Sequence, residues 1–291
     1  MLEQQKFLVS TDVGGVFGFT RHSKEIWKPA ILHPNFGGFE AVGWKWLDLI
    51  NHFARKHDVK IAGIHGKMDG LTIPDSIETA KESIILAGLN SFLIPTPKLI
   101  QKYGSKVDYL LLHAPEARKK ENMKAIVKNK NNINKINIEN HIRPGSWLKS
   151  VEIARELRSF NVNAGVVFDL FHFMKSYDDS GLYKDMGQKW DRILSNLDVV
   201  LDIKDDKKKP IPISLHIPLG TRMSDSLDFE SITENMWRGL SKRIKSRRDM
   251  TVIIESQQAG WSVLMTREKG RQKQRDRNTK ILDVLDRTEV I

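Results

Sequence analysis

Six short apolar runs in this sequence each finish on a histidine or a carboxylate. The terminal residues are, in chain order, His65, His113, Glu139, Asp169, His216 and Glu255. Each run is rich in β-branched residues and is followed by turn or helix signals, which is typical of a buried parallel strand. Packing alone would place valine, isoleucine or leucine at such positions just as readily. The six residues therefore predict a ring of metal ligands at the carboxyl ends of parallel strands.

Four of these residues would form one pocket of mixed nitrogen and oxygen ligands, namely Glu139, Asp169, His216 and Glu255. The pocket would carry three negative charges, and carboxylates that share a site repel each other unless a divalent cation offsets the charge. The set suits zinc, manganese, iron or magnesium, and its histidine content favours a transition metal, zinc above all. The chain contains no cysteine, so thiolate ligands are excluded.

His65 and His113 could form a second site in which Glu139 is a bridging carboxylate. Two metals about 3.5 to 4 Å apart are the usual arrangement for cleaving a phosphodiester, because one generates hydroxide and both stabilise the developing charge. A further histidine, His172, follows Asp169 by three residues. This spacing, where a strand passes into a loop, would aim both side chains at one site, with His172 as a ligand or as a nearby base.

Strand-like and helix-like segments alternate from end to end, which predicts an α/β fold with a parallel sheet and right-handed crossovers. Ligands that converge from six strand ends require a circular layout, and no G-x-G-x-x-G sequence follows the first strand. A closed (β/α)₈ TIM barrel is therefore favoured over an open doubly wound sheet. A chain of 291 residues suits one barrel domain over residues 1–291, with the active site at the carboxyl ends of the strands.

Seven strands are predicted, the first at KFLVS and the others at the six runs that end on candidate ligands. The eighth strand has three candidate locations, at residues 91–95, at 199–203 or within 217–232. Residues 39–57 are expected to form an amphipathic helix, because their large apolar residues recur at helical spacing.

The chain is basic, with 47 lysines and arginines against 36 acidic residues and a net charge of +11. Such an excess favours encounters with polyanions, so nucleic acid is a candidate partner, although a solvated lysine-rich surface explains the charge equally well. The basic segment 267–280 could lie against a nucleic-acid backbone, or be a solvated helix end or a frayed tail. No apolar stretch approaches the roughly 20 residues of a membrane span, and no signal-peptide pattern precedes the first strand, so a cytoplasmic protein is expected.

Two segments resemble the xylose-isomerase-like TIM barrels, and most closely the endonuclease IV family. IENHIRPGS, with Glu139, Asn140, Gly145 and Ser146, is similar to the family's fourth-strand segment. DLFHFMKSYD, with Asp169, His172, Tyr177 and Asp178, is similar to its fifth-strand segment. The remaining candidate ligands fall in the family's order, and the resemblance spans about residues 59–256.

The resemblance implies a metal-dependent hydrolase in which metal-bound hydroxide cleaves a phosphodiester, with abasic DNA sites as the family's substrate. Two segments depart from the family. Where its third metal uses a D-x-H pair, this chain has Asp228 to Glu230, so a third ion is in doubt. The segments HGKMDG and HAPEA replace the family's DNA-contacting sequences after His65 and His113, so DNA recognition by the family's route is not implied.

The sugar isomerases and epimerases of the same superfamily are the alternative. They are similar in holding one metal with Glu, Asp, His and Glu, and in carrying an arginine six residues beyond the sixth-strand histidine, which here is Arg222. In that reading Glu139 and Glu255 act as acid and base on a small ketose, through an enediolate. The candidate catalytic residues are therefore Glu139, Glu255, His172 and Arg222. A metal-binding barrel without catalysis is the third hypothesis.

Overall fold

Eight parallel strands form a closed barrel. The computed structural model describes residues 6–10, 23–43, 59–66, 93–140, 146–178, 185–220, 227–247, 250–256 and 268–291. The barrel strands are β1 (Phe7–Ser10), β2 (Phe36–Val42), β3 (Ile61–His65), β4 (Tyr109–His113), β5 (Ile136–Glu139), β6 (Ala164–Asp169), β7 (Ile213–Gly220) and β8 (Thr251–Ser256). Each strand pairs in parallel with the next along the chain, and β8 pairs with β1 and closes the sheet. This confirms the predicted (β/α)₈ TIM barrel.

Helices cover the outside of the barrel. They are α1 (Ser23–Ile26), α2 (Lys28–Ile31), α3 (Thr96–Tyr103), α4 (Ala114–Ala117), α5 (Lys120–Lys128), α6 (Ser146–Ser159), α7 (Leu170–Asp178), α8 (Met186–Leu201), α9 (Glu234–Ser246) and α10 (Glu268–Arg287). The outward faces of the strands pack against these helices in one continuous apolar core. Within the described part of the chain, no helix has the length and apolar character needed to span a bilayer.

The strand that the sequence left uncertain is β2. It begins at Phe36, so the helix expected over 39–57 is wrong at residues 39–42, and residues 44–58 lie outside the described part. Phe39 and Ala41 join the outer core whereas Glu40 faces inward, which is strand alternation. Over so few residues, apolar positions three apart fit a helix as well as a strand, and this ambiguity produced the error.

None of the three proposed locations supplies the eighth strand. Residues 199–201 belong to the end of α8, and residues 217–220 extend β7. Leu227–Asp228 adds only a two-residue parallel pair to the end of β7. In the segment 91–95, residues 91 and 92 lie outside the described part, and Leu93 forms an isolated bridge. The predicted strand order omitted β2. The position of every later strand in the barrel is therefore one higher than its predicted number.

The stagger between strands arranges the inward side chains in layers of four, each drawn from alternate strands. One layer comes from the odd-numbered strands and contains Ser10, His65, Glu139 and His216. The layer directly beneath comes from the even-numbered strands and contains Glu40, Leu111, Val167 and Ile253. The layer above, at the carboxyl ends, contains His113, Asp169 and Glu255. The polar end of the barrel thus occupies its top two layers.

Candidate metal centre

The six residues that the strand ends predicted lie together at the carboxyl end of the barrel. His65, His113, Glu139 and Asp169 are the last residues of β3, β4, β5 and β6. His216 and Glu255 lie within β7 and β8, which continue past them to Gly220 and Ser256. All six residues are buried, and none is more than 6% exposed. These residues form two candidate ligand groups, and within each group the potential ligand atoms lie within 4.8 Å of one another. The first group contains His65, His113 and Glu139, and the second contains Glu139, Asp169 and His216.

Glu139 is the residue that both groups share. Its Oε2 atom lies 3.2 Å from His65 Nε2 and 3.0 Å from His113 Nε2. Its Oε1 atom lies 2.8 Å from His216 Nδ1. Each carboxylate oxygen therefore faces a different group, which is the geometry expected of a bridging carboxylate.

The orientation of His65 makes its group a good fit to a cation. His65 Nδ1 lies 3.0 Å from the carbonyl oxygen of Gly66, and because a carbonyl only accepts, Nδ1 carries the hydrogen. A neutral His65 then presents the lone pair of Nε2 to Glu139 Oε2 and, at 3.3 Å, to His113 Nε2. Electron-rich atoms so close together repel each other unless a cation or a proton lies between them. Binding the other ring nitrogen to a backbone carbonyl is also how metal-ligating histidines are usually held.

The second group contains more negative charge. His216 Nδ1 lies 3.3 Å from Asp169 Oδ2, in addition to its contact with Glu139. On the other side of the ring, His216 Nε2 lies 3.2 Å from Glu255 Oε2. Three carboxylates thus surround a single imidazole in the barrel interior, where an uncompensated charge is costly.

Asp169 also ends its strand in a way that the sequence did not anticipate. The strand passes directly into α7 rather than into a loop, so the loop expected at this point is wrong. Asp169 Oδ1 accepts a hydrogen bond of 2.6 Å from the backbone N–H of His172, which is the contact of a helix N-cap. One carboxylate oxygen therefore caps α7, and the other faces His216.

His172 lies at the edge of the centre rather than within it. Its side chain is 19% exposed, and its Nδ1 atom lies 3.8 Å from Asp169 Oδ1. The His172 ring centroid is 5.8 Å from that of His113. Its Nδ1 atom donates to the carbonyl oxygen of Asn140 at 2.8 Å. These contacts suit a residue that acts beside the ligands.

Burial and neighbouring charges move the pKa values of the site residues in opposite directions. Burial lowers the pKa of His113 to about 4, so this imidazole is neutral and able to bind a metal at neutral pH. Burial also raises the pKa of Asp169 to about 6, against the opposing effect of His172 and His216. The Asp169 carboxylate thus competes for protons close to neutral pH.

The remaining shifts describe how the centre balances its charge when it contains no cation. Burial opposes ionisation of Glu139, but the charge and hydrogen bond of His113, followed by the hydrogen bond of His216, hold the pKa of its carboxyl well below the usual range. Burial opposes protonation of His216, but hydrogen bonds to Glu139 and Glu255 raise the pKa of its imidazole well above the usual value. The carboxylates therefore draw a proton onto His216. A site that recruits positive charge in this way is chemically suited to a cation.

The structure does not place every other predicted site residue. Arg222 and Gly145 lie outside the described residues. Glu230, part of the segment considered for a third metal, is exposed, and its carboxylate accepts hydrogen bonds of 2.7 and 3.0 Å from Lys280. Tyr177 and Asp178 lie in the last turn of α7.

One buried polar pair was not predicted as part of the site. Tyr109, at the start of β4, donates a hydrogen bond of 2.6 Å to Glu40 Oε2 inside the barrel. Glu40 is fully buried in the layer directly beneath His65 and Glu139. Burial, followed by the charge of Glu40, raises the pKa of Tyr109 well above its usual value. The apolar and polar alternation of Phe39, Glu40 and Ala41 was the sequence signal that could have located this carboxylate.

The basic segment near the carboxyl terminus is engaged within the protein through several of its cations. It forms α10, which packs against α1 and α2. Arg271 and Arg275 pair with Glu25, and Lys280 pairs with Glu230. The frayed tail considered from the sequence is therefore wrong for residues 268–280, and several of the cations that suggested nucleic acid have internal partners.

Comparison with known proteins adds little to this geometry. No protein-family model matches the chain, and no curated protein matches it. Among solved structures, the chain is similar to one described as the "crystal structure of a putative fructose-1,6-biphosphate aldolase from Coccidioides immitis". The identity is 9% and the TM-score 0.30, over 99% of this chain and 94% of that chain. Such a likeness carries no assignment of activity, and the barrel is established by its own strand pairing.

Proposed function

We propose that the protein is a metal-dependent phosphoester hydrolase with two adjacent cation sites that share Glu139. His65 and His113 would complete the first site, and Asp169 and His216 the second, while Glu255 contacts the opposite nitrogen of the His216 ring. Zinc suits this set of nitrogen and oxygen donors best, with manganese and magnesium as alternatives. This assignment agrees with the resemblance of the IEN and D-x-x-H segments to the endonuclease IV family.

The orientation of His65 is the observation that carries the proposal. A neutral histidine has a single N–H, and His65 donates it from Nδ1 to Gly66, so its Nε2 atom has only a lone pair to present. Its remaining lone pair faces the Glu139 carboxylate and His113 Nε2. A divalent cation is the simplest species that turns both of these contacts of His65 Nε2 into attractive ones.

Two adjacent cations supply a particular chemistry, which is activation of water and neutralisation of charge on a phosphoryl group. The chain's own residues would do the rest. Glu139 holds the two sites at a fixed spacing, because each of its oxygens serves one of them. His172 has its Nδ1 hydrogen held by Asn140, so its Nε2 atom is the nitrogen able to exchange a proton with a leaving group or water. The buried strand ends exclude bulk water from the ligands.

The first site distinguishes hydrolysis from sugar isomerisation. An isomerase with one metal would need only Glu139, Asp169, His216 and Glu255, which leaves the convergence of His65 and His113 on Glu139 without a role. Hydrolysis of a phosphoester uses both groups. The specific substrate, including abasic DNA, is the finer part of the proposal, because several cations of α10 have partners within the protein.

The test is metal analysis coupled to hydrolysis. Purified protein is stripped with a chelator and reloaded with Zn²⁺ or Mn²⁺, bound equivalents are counted by elemental analysis, and cleavage of bis(4-nitrophenyl) phosphate and of an abasic-site duplex is measured. We expect two equivalents and hydrolysis of the small diester. Glu139→Gln should lose both sites and reduce turnover by more than about 100-fold, since even outer-shell partners typically contribute 10- to 100-fold.

Glu116→Gln is the matched control. Glu116 is also a buried glutamate, but it bonds to Thr96, Asn122 and Lys119 rather than to histidines. This variant should retain both equivalents. One equivalent together with turnover of a ketose panel would replace the hydrolase with the isomerase. Tight metal binding with neither activity would favour a binding barrel without catalysis.

A further inference from the structure

Asn140 connects the carboxyl ends of β5 and β6 through both ends of its side chain. Its Oδ1 atom accepts a hydrogen bond of 2.6 Å from the backbone N–H of Asp169. Its Nδ2 atom donates to the backbone carbonyl of Asp169 at 3.3 Å. The side-chain amide thus forms the two hydrogen bonds with the Asp169 backbone that one more residue of β5 would form. It thereby extends the pairing of β5 with β6 past the last residue of β5. Both bonds are buried, because Asn140 is only 1% exposed.

The same residue also holds His172. The carbonyl oxygen of Asn140 accepts from His172 Nδ1 at 2.8 Å, and its backbone N–H donates to Val167 at 3.3 Å. A carbonyl only accepts, so this contact fixes the hydrogen on Nδ1 and leaves Nε2 with the lone pair of the neutral ring. One residue therefore sets the backbone of Asp169 and the tautomer of His172.

The effect of this clamp reaches the Asp169 carboxylate. Asp169 Oδ1 is held by the N–H of His172 at 2.6 Å, which leaves Oδ2 directed at His216. With its backbone fixed on one side by Asn140 and its side chain fixed on the other by the first turn of α7, Asp169 retains little rotational freedom. A ligand that is already oriented loses less entropy when it binds a cation.

We propose that Asn140 is a positioning residue of the metal centre, which orients Asp169 for the second site, formed with Glu139 and His216. The inference rests on the proposed function as a two-cation centre and deepens it. Asn140 contacts neither His65 nor His113 in the hydrogen bonds described above. Substitution of Asn140 should therefore weaken cation binding more at the second site than at the first. A general loss of stability would weaken both sites alike, so a difference between the sites identifies positioning.

The experiment is a Co²⁺ titration followed by visible absorption. Each bound equivalent is assigned to a site with single-site variants, His65→Ala for the first site and Asp169→Asn for the second. Asn140→Ala should weaken the second-site equivalent by about 10- to 100-fold, the range typical of outer-shell partners, and change its absorption bands. Affinity for the first-site equivalent should change by less than about twofold, since no ligand of that site bonds to Asn140 in the contacts above.

Asn134→Ala is the matched control. Asn134 lies just before β5 at the other end of the same strand, and its side-chain amide donates to the carbonyl of Val107 at 2.7 Å. The Asn134→Ala variant removes a similar amide hydrogen bond far from the candidate ligands. The Co²⁺ affinities of the first and second sites should therefore stay unchanged. Should Asn140→Ala fail to fold, Asn140→Asp replaces it, because the aspartate keeps the acceptor for the Asp169 N–H and puts an acceptor, in place of the donor, opposite the Asp169 carbonyl.

Amide hydrogen exchange on the metal-free proteins completes the test. Faster exchange at Asp169 and His172 with a selective loss of second-site affinity supports positioning. Faster exchange with both Co²⁺ affinities intact would show that the clamp is only structural and would overturn the inference. Equal weakening of both sites would also overturn it. A wild-type protein that binds no Co²⁺ would instead reject the proposed function, and the inference with it.

Discussion

At the scale of single residues, the centre depends on how each polar atom is shared. Glu139 directs one oxygen to each ligand group, and Asp169 divides its oxygens between a helix cap and His216. Residue types alone predicted that these side chains would converge, because carboxylates and histidines at six strand ends have few packing explanations. The division of their oxygens could not be predicted, since it depends on side-chain angles that spacing does not encode.

Asp169→Asn should have a stability effect that depends on pH in the metal-free protein. The folded pKa of Asp169 is raised from 3.8 to about 6, chiefly by burial. The unfolded carboxyl therefore ionises first, and the wild-type fold loses stability as pH rises from about 4 to about 6, with the full penalty present above pH 6. The variant cannot ionise, but its side-chain oxygen still caps α7. Its stability relative to wild type should rise with pH, by up to roughly 3 kcal/mol.

Urea unfolding of both chelator-treated proteins at pH 4.5 and pH 7.5 measures this difference. A stability difference that is the same at both pH values would contradict the raised pKa. Saturating Zn²⁺ at pH 7.5 should reverse the order of the two proteins, because only the wild type retains the charged ligand.

The buried pair of Tyr109 and Glu40 should be strongly coupled. Tyr109→Phe keeps the aromatic ring but removes the donor to Glu40 Oε2. Hydrogen bonds to charged groups contribute about 1.5 to 3 kcal/mol, so we expect a loss of unfolding free energy of that order. A double-mutant cycle with Glu40→Gln, followed by urea unfolding, gives the coupling energy. Additive single effects would show that the 2.6 Å contact contributes nothing.

At the scale of elements, the strands that end on ligands were predictable and β2 was not. The ligand runs are continuous apolar segments, which identify strands buried on both faces. β2 instead begins FGGFE, with two glycines and a buried glutamate, so its apolar residues are too few to separate a strand period from a helix period. Its place in the barrel is decided by its neighbours, because β1 and β3 need a strand between them to close the sheet.

Gly38 should be the most sensitive position in β2. Its φ of +134° is a conformation that side chains rarely adopt, and an added Cβ would lie 2.8 Å from the carbonyl oxygen of Lys60. We expect Gly38→Ala to reduce the unfolding free energy by about 1 to 3 kcal/mol, or to prevent folding. Gly37→Ala is the matched control, since the nearest contact of its added Cβ is 3.1 Å, to the flexible end of Leu8.

Urea unfolding compares the two variants. Gly37→Ala should be less destabilising, because a side-chain tip can move and the carbonyl of a paired strand cannot. If Gly37→Ala proved the more harmful of the two, the strain assigned to Gly38 would be refuted.

At the scale of the whole molecule, the alternation of strands and helices was sufficient to predict the barrel, but the net charge did not show where its cations are used. The charge of +11 suggested polyanion binding. In the fold, part of that charge is used to attach α10, through pairs such as Arg271 with Glu25 and Lys280 with Glu230. Composition counts charges without their partners, so it could not reveal this use.

Cation binding should stabilise the whole barrel, because the candidate ligands come from the five strands β3 to β7. At a free Zn²⁺ concentration 100 times the dissociation constant, the stabilisation is about 2.7 kcal/mol, equivalent to a Tm increase of about 4 to 5 °C for a chain of this size. Protons compete for the same atoms, since Asp169 has a pKa of about 6 and the pKa of His216 is raised. At fixed total Zn²⁺, the Tm increase should therefore be larger at pH 8 than at pH 5.5.

Thermal unfolding with Zn²⁺ and with excess chelator at the two pH values measures the increase. Glu139→Gln separates the centre from surface binding, because it removes the ligand that both sites share and should show little Zn²⁺ effect at either pH. An equal Tm increase for wild type and Glu139→Gln would assign the stabilisation to exposed histidines or carboxylates. An increase that grew as pH fell would contradict the competition between protons and cation on which the centre's chemistry depends.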